Sequence, residues 1–301
     1  MTDLPNNSLN DTSKRKELEI IKASLYLFEF IFITAVGLFI FKMVQQNSEM
    51  KKNVQYFLLC HHLLCCSLFS CFGVAYNTIR ALAVESPRIV FWIIFGVQVA
   101  IGEGVLITLT LMTLTRCFAV CWPFRYISLV HAVKHKVMIC VWIITMFKSM
   151  CLLLIEGIDK TPEDITMGII LILFLGAIII VSYCLLWREG KHAGHFNSST
   201  NKARKTILIH GLHLSLFLFP PLIKIAVKRS NFIFNLTAFV VFSLAQCFSP
   251  VVYGLRNKEL QTKLFNRWLF CHKKVGLTVC SWNSWPPLST APNGGGGAEQ
   301  V

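Results

Sequence analysis

The sequence predicts an all-α membrane protein, a seven-transmembrane helix bundle followed by a short amphipathic eighth helix. Of its 301 residues, 54% are hydrophobic and only 15% are charged, whereas a soluble domain carries about 25% charged residues. Seven stretches are predominantly apolar over about 20 residues, the length that crosses a bilayer as a helix. Each segment inside lipid must satisfy its own backbone hydrogen bonds, so these stretches are expected to be helices.

The seven stretches follow one another closely and leave little of the chain for a soluble domain. They are predicted at 20–43, 54–79, 89–115, 137–156, 165–187, 206–227 and 231–254. Residues 1–19 then form an extracellular N-terminus and residues 20–255 the transmembrane domain. Residues 256–272 form an amphipathic juxtamembrane helix. Residues 273–301, with a proline pair, a run of glycines and no helical period, form a disordered cytoplasmic tail.

Basic residues are concentrated on one side of the predicted membrane. With the N-terminus outside, the inner segments contain 18 of the 29 Lys and Arg residues but only four of the 15 acidic residues. The positive-inside rule therefore predicts a multi-pass plasma-membrane protein with an extracellular N-terminus. The same distribution excludes a nucleic-acid partner as the cause of the basic pI, because the positive charge faces anionic membrane lipid and cytosolic partners.

The two ends of the chain contain candidate modification sites. Asn6 and Asn10 begin glycosylation sequons in the extracellular segment, and the first apolar stretch is expected to act as a signal anchor. Cys271 follows the amphipathic run 256–270 and is a candidate for palmitoylation. The other cysteines are interpreted as small packing residues. Their spacing predicts no metal site, and no cofactor is expected.

Charged residues inside the apolar stretches are costly to bury, which makes them candidates for function. Arg116 lies at the inner end of the third stretch. Gln98 and Glu103 lie in its apolar part, and Glu103 is about 20 Å outward of Arg116 at 1.5 Å per helical residue. Lys224 in the sixth stretch is a candidate partner for Glu103. The carboxylate is expected either to form a buried ion pair or to contact a ligand, and Gly102 would make room for that ligand.

Several motifs resemble those of rhodopsin-like (class A) G-protein-coupled receptors, and the teleost-type odorant receptors among them most closely. The run TRCFAVCWPFRY at 115–126 is similar to the end of their third helix, and SPVVYGLRNKE at 249–259 to the end of their seventh. Further similar motifs are NVQYFLL at 53–59, Trp142 in the fourth stretch, Ser182–Tyr183 in the fifth, and KARKT at 202–206 with His210 in the sixth. Together they cover about residues 50–260 in the order typical of the family.

The resemblance implies a receptor that binds a small, largely apolar, odorant-like molecule and activates a heterotrimeric G protein at its cytoplasmic face. The two sites would be coupled through a two-state helix bundle. The residues expected near the ligand are Gln98, Gly102, Glu103 and Lys224. The residues expected to act as switch contacts near the G protein are Arg116, Tyr183, His210, Pro250 and Tyr253.

The chain also departs from the family pattern. Thr115 replaces the acid before Arg116, and Cys117 replaces the tyrosine after it. Phe91 stands near the position of the disulfide cysteine, and the second stretch contains no Asp. Because an acid beside Arg116 would hold the resting state, a constitutively active receptor and a non-signalling receptor are both alternatives.

A membrane channel or transporter is the alternative from another class. Transporters often contain internal repeats with broken helices in matching positions, and the sequence contains no such repeat. Its polar residues are also too few to line an ion path. An enzyme is not expected, because the chain contains no P-loop, no GxSxG, no HExxH and no carboxylate pair at catalytic spacing.

Overall fold

All of the described secondary structure is helical. A computed structural model describes residues 5–82, 87–156, 163–192 and 232–254, together with 209, 211–213, 215–220 and 222. Its helices are α1 Pro5–Gln46, α2 Ser48–Lys52, α3 Val54–Ala81, α4 Arg88–Cys121, α5 Pro123–Glu156, α6 Glu163–His192, α7 Gly211–Pro220 and α8 Phe232–Gly254. The prediction of an all-α chain is confirmed for these residues, which contain no strand.

Five of these helices are long and apolar enough to cross a membrane. The qualifying segments are Lys16–Gln46, Val54–Ala81, Ile89–Cys121, Ile170–Glu189 and Phe232–Val252. They match the first, second, third, fifth and seventh predicted stretches and indicate a membrane-embedded protein. The fourth predicted stretch lies within α5, and the sixth falls only partly within the described residues. The predicted amphipathic helix and tail lie outside them.

The helices extend beyond the predicted apolar stretches. The described part of α1 runs from Pro5, well before the apolar stretch predicted at 20–43. Its polar part is tied to the end of α3 by Glu19, whose Oε1 lies 3.5 Å from Nη1 of Arg80. α4 continues through Arg116, and Trp122 alone separates it from α5. Pro123 begins α5 because a proline has no N–H to continue the preceding helix.

Asparagine caps form the tight connection between α1 and α3. The Asn47 side chain accepts a hydrogen bond from the Glu49 backbone N–H (3.1 Å), and Asn53 accepts one from the Gln55 N–H (2.9 Å). Both contacts satisfy N–H groups that have no partner within their own helix. The short helix α2 therefore turns the chain directly from α1 into α3.

α3 and α4 are central among the described helices. α4 contacts α3, α5 and α6, and α3 contacts α1, α2, α4, α5 and α8. α1 contacts α2, α3 and α8. One end of this arrangement, where α1 and α4 end and α3 and α5 begin, is rich in cations, and we call it the basic end. Its Lys and Arg residues include Lys42, Lys51, Lys52, Arg116, Lys134 and Lys136. The basic end corresponds to the side that the sequence predicts to be cytoplasmic.

Candidate ligand and switch sites

Glu103 forms an ion pair with Lys148 between α4 and α5. The glutamate is 8% exposed, whereas the lysine side chain is 30% exposed. Lys148 donates to the Oε1 atom of Glu103. The Oε2 atom is buried and has no hydrogen-bond partner in the described part of the chain. Lys224, the partner predicted from the sequence, lies outside the described residues.

The candidate ligand residues of α4 face different neighbours. Gln98 is buried and shares a side-chain hydrogen bond with Tyr26 of α1. A Cβ added to Gly102 would lie 3.0 Å from the ring of Phe69, so the glycine makes room for that ring. Five residues turn an α-helix by about 140° beyond a full turn. Gln98 and Glu103 therefore lie on different faces of α4, and their prediction as ligand residues stays a prediction.

A second buried carboxylate, Glu29, joins three helices. Ser70 of α3 donates a hydrogen bond to its Oε2 atom (3.0 Å), and Ser243 of α8 donates one to its Oε1 atom. Glu29 and Ser70 are both 0% exposed. Glu29 is not among the site residues predicted from the sequence, although an acid within the first apolar stretch is the same signal that singled out Glu103.

Adjacent histidines of α3 form hydrogen bonds with different helices. His61 accepts a hydrogen bond from the indole N–H of Trp142 in α5 (2.8 Å). His62 shares a hydrogen bond with Ser249 of α8 (2.7 Å), and both of those residues are 0% exposed. The resemblance pointed to Trp142 and to the motif that begins at Ser249, but the histidine pair is not among the residues predicted from the sequence. Its signal was two polar residues in succession within an apolar stretch.

Pro250 lies within α8, next to the contacts that tie this helix to the others. A proline inside a helix removes one backbone hydrogen bond and permits a bend. One turn before it, the Ala245 carbonyl is 2.9 Å from Nε2 of His213 in α7. Ser249, bonded to His62, precedes the proline directly. The bend site is therefore held by side chains from two other helices.

The other switch residues are only partly described. Arg116 and Tyr183 are half-buried on α4 and α6. The neighbouring Thr115 is buried, and its hydroxyl donates to the Met112 carbonyl of its own helix (3.0 Å). Tyr253 lies in the last turn of α8, and Asn6 and Asn10 lie in the first turns of α1. His210 and Cys271 are outside the described residues.

The cysteines in the described part of the chain are free thiols. Phe91 packs on Tyr76 with ring centroids 4.8 Å apart. No group of three or more His, Cys, Asp or Glu residues within the described ranges is arranged to hold a metal ion.

A cavity of about 410 Å³ lies at the basic end, far along α4 from Glu103. Its described lining is almost wholly apolar and comes from α3, α4 and α5, with the Trp122 link. Tyr126 at its edge shares a side-chain hydrogen bond with Gln55. Burial raises the pKa of the Tyr126 phenol, and the hydrogen bond with Gln55 opposes this increase, so the phenol stays neutral at physiological pH.

The described residues define a helical membrane protein whose buried polar side chains join neighbouring helices. No known protein family matches the chain, and no curated protein is significantly similar to it. A more specific assignment therefore depends on this chain's own residues and motifs.

Proposed function

We propose that the protein is an odorant-type G-protein-coupled receptor. In this proposal, a small and largely apolar molecule binds in the outer half of the bundle, and a heterotrimeric G protein binds at the basic end. The chain would lie in the plasma membrane with seven spans and an extracellular N-terminus, as the distribution of Lys and Arg predicts. The motifs at 115–126 and 249–259 are the basis for the class of receptor.

The observation that carries the proposal is the position of α4. This helix contacts α3, α5 and α6, with Arg116 at its basic end and Glu103 about 20 Å away along the helix. A helix with neighbours on several sides is suited to transmit a change at one end to the other. Such coupling requires that each ligand bind the two states of the bundle differently.

The unpartnered oxygen of Glu103 is the proposed polar contact for the ligand. The Oε2 atom is buried, and a buried acceptor without a donor costs about 1–3 kcal/mol. A ligand hydroxyl or amine that donates to this atom would remove that cost. The surrounding chain is rich in Phe, Ile and Leu, so the rest of the ligand is expected to be apolar.

The proposed switch is the contact between α8 and its neighbours around Pro250. Movement of α8 would require exchange of the Ser249–His62 and Ala245–His213 hydrogen bonds. Each is a local contact with two alternatives, made or broken, next to a residue that permits bending. Arg116, at the basic end of α4, would then meet the G protein when the helix ends separate.

The proposal is tested by expressing the protein together with a G protein in cells and measuring cAMP. Wild type is expected to raise cAMP with a panel of small odorant-like molecules, and Arg116→Ala to lower the response about tenfold, within the range of allosteric coupling energies. Lys136→Ala, an exposed cation at the same end, is the matched control and should respond as wild type does. Surface labelling must show equal amounts of each variant.

Other outcomes separate the alternatives. Raised cAMP without ligand identifies a constitutively active receptor, and surface protein that never changes cAMP identifies a non-signalling one. A ligand-evoked current in cells without the G protein favours a channel or transporter. An unchanged response in Arg116→Ala contradicts the proposed mechanism.

A further inference from the structure

An apolar groove opens at the basic end between the start of α3, the end of α4 and the start of α5. It has a volume of about 410 Å³, within the range of about 300–1,000 Å³ found for small-molecule sites. Leu58 and Met138 form part of a buried floor. Phe118 and Trp122 at the rim are 44% and 53% exposed. The groove therefore opens at the outer surface of these helices, where membrane lipid would lie.

Lys134 is the only charged residue among the groove's described lining residues. Its Nζ atom lies 5.7 Å from the centroid of the Phe57 ring, so the ammonium is held at the edge of the apolar surface. Tyr126 lies beside the same groove. The basic end contains Lys42, Lys51, Lys52, Arg116, Lys134 and Lys136, whereas its described acids are Glu49 and Glu189, and Glu189 is paired with Arg188. The charge around the groove therefore favours an anion.

We propose that this groove binds an anionic phospholipid of the surrounding membrane. One acyl chain lies along the apolar floor, and the phosphate of the headgroup pairs with Lys134. Trp122 at the rim suits the level of the headgroups, where tryptophan is enriched. Basic pockets between membrane helices on the cytoplasmic side are typical sites for anionic headgroups. The site does not depend on the proposed receptor function and would be equally present in a channel.

Lipid retention by the purified full chain tests this site. The protein is released from vesicles that contain equal amounts of phosphatidylglycerol and phosphatidylcholine with identical acyl chains, and native mass spectrometry counts the lipids that remain bound. Wild type is expected to retain phosphatidylglycerol preferentially. Lys134→Gln should reduce this preference about fivefold, as expected for one lysine at an anionic surface. Lys136→Gln, which removes an exposed cation outside the described lining, should leave the preference unchanged.

A second variant tests the acyl chain. Leu114 lines the groove and is half-buried, so Leu114→Trp should fill it and reduce retention of both lipids. Far-UV circular dichroism verifies that each variant remains helical. Equal retention of the two lipids by wild type overturns the proposal, and so does an equal loss of preference in the two lysine variants. Because the assay contains no G protein, its result is independent of any signalling result.

Discussion

Glu29 and Glu103 are both carboxylates buried within membrane helices, but they are held in different ways. Glu29 receives hydrogen bonds from two neutral hydroxyls, of Ser70 and Ser243, and links α1, α3 and α8. Glu103 pairs with Lys148 across α4 and α5. The first site distributes its contacts over three helices, whereas the second concentrates them in one ion pair. A single substitution should therefore lower the free energy of unfolding more at the Glu103 site than at the Glu29 site.

The largest effect is expected for Lys148→Met. Removing one member of a buried ion pair leaves the other charge uncompensated and typically costs 3–5 kcal/mol. Because Lys148 is partly exposed, we expect the free energy of unfolding to fall by about 3 kcal/mol, at the low end of this range. Unfolding of the detergent-solubilised protein measures this loss. Lys136→Met is the exposed control and should change the stability by less than about 0.5 kcal/mol.

A double variant sharpens this test. Glu103→Met combined with Lys148→Met removes both charges, and replacing a whole buried pair by apolar residues is often neutral or stabilising. We expect the double variant to be more stable than Lys148→Met alone. If the double variant is the less stable of the two, the pair is not held by charge in the way described.

The next largest effect is expected at Gly73, near the Glu29 site. A Cβ added there would lie 2.8 Å from the Tyr26 ring, and overpacking of this kind costs about 1–3 kcal/mol. Gly73→Ala should therefore lower the stability by about 2 kcal/mol. Gly37→Ala is the matched control, because its Cβ would lie at an ordinary 3.6 Å from Leu63. Equal effects of the two alanines would argue against close packing of α1 on α3.

Ser243→Ala is expected to cost about 1 kcal/mol, the net value of one buried hydrogen bond. It removes one donor to Glu29 and leaves the other, from Ser70. Ser215→Ala serves as the control, since that exposed hydroxyl donates to the Gly211 carbonyl of its own helix (2.8 Å). In thermal unfolding, Ser243→Ala should be less stable than wild type, whereas Ser215→Ala should be as stable as wild type. A cost above that of Lys148→Met would reverse the comparison between the two carboxylates.

The smallest effect is expected for Trp142→Phe, which removes the hydrogen bond to His61 but keeps an aromatic ring. Hydrogen bonds between membrane helices contribute about 0.6 kcal/mol on average, and a loss of this size is expected in the same unfolding assay. Trp122→Phe is the control, because this tryptophan is exposed and no hydrogen bond of its indole N–H is found in the described residues. A loss as large as that of Lys148→Met would show that α5 is held chiefly by His61.

The helices could be predicted from the sequence, but their neighbours could not. The apolar stretches identify the membrane-spanning cores of α1, α3, α4, α6 and α8, because hydropathy is a local property of about 20 residues. The predicted ends of these helices were less accurate than their apolar cores. Residues 5–19 of α1 are polar, so hydropathy gives no signal for a helix there. Hydropathy also does not mark the end of α4 at Trp122, because the residues on both sides of it are largely apolar.

For the candidate sites, too, the sequence predicted individual residues but not which residues contact one another. Glu103 was selected correctly as a residue that requires a partner, but Lys148 was not identified as that partner. A lysine in the fourth apolar stretch was a usable signal, since every buried charge requires a partner. Gln98 and Glu103 were predicted to lie near the ligand because they are polar residues in an otherwise apolar stretch, and Gly102 because it would make room for the ligand. The structure separates them, because the turn of α4 directs them to Tyr26, Phe69 and Lys148.

The sequence by itself determined an all-helical, membrane-embedded class, the basic end and the residues whose burial requires an explanation. Composition and charge establish these properties because they depend on transfer between water and lipid, residue by residue. The tertiary structure alone decided that Glu29 joins α1, α3 and α8, that His61 and His62 bond to different helices, and that a groove opens beside Lys134. Those properties depend on which helix faces meet, and residues far apart in sequence determine that together.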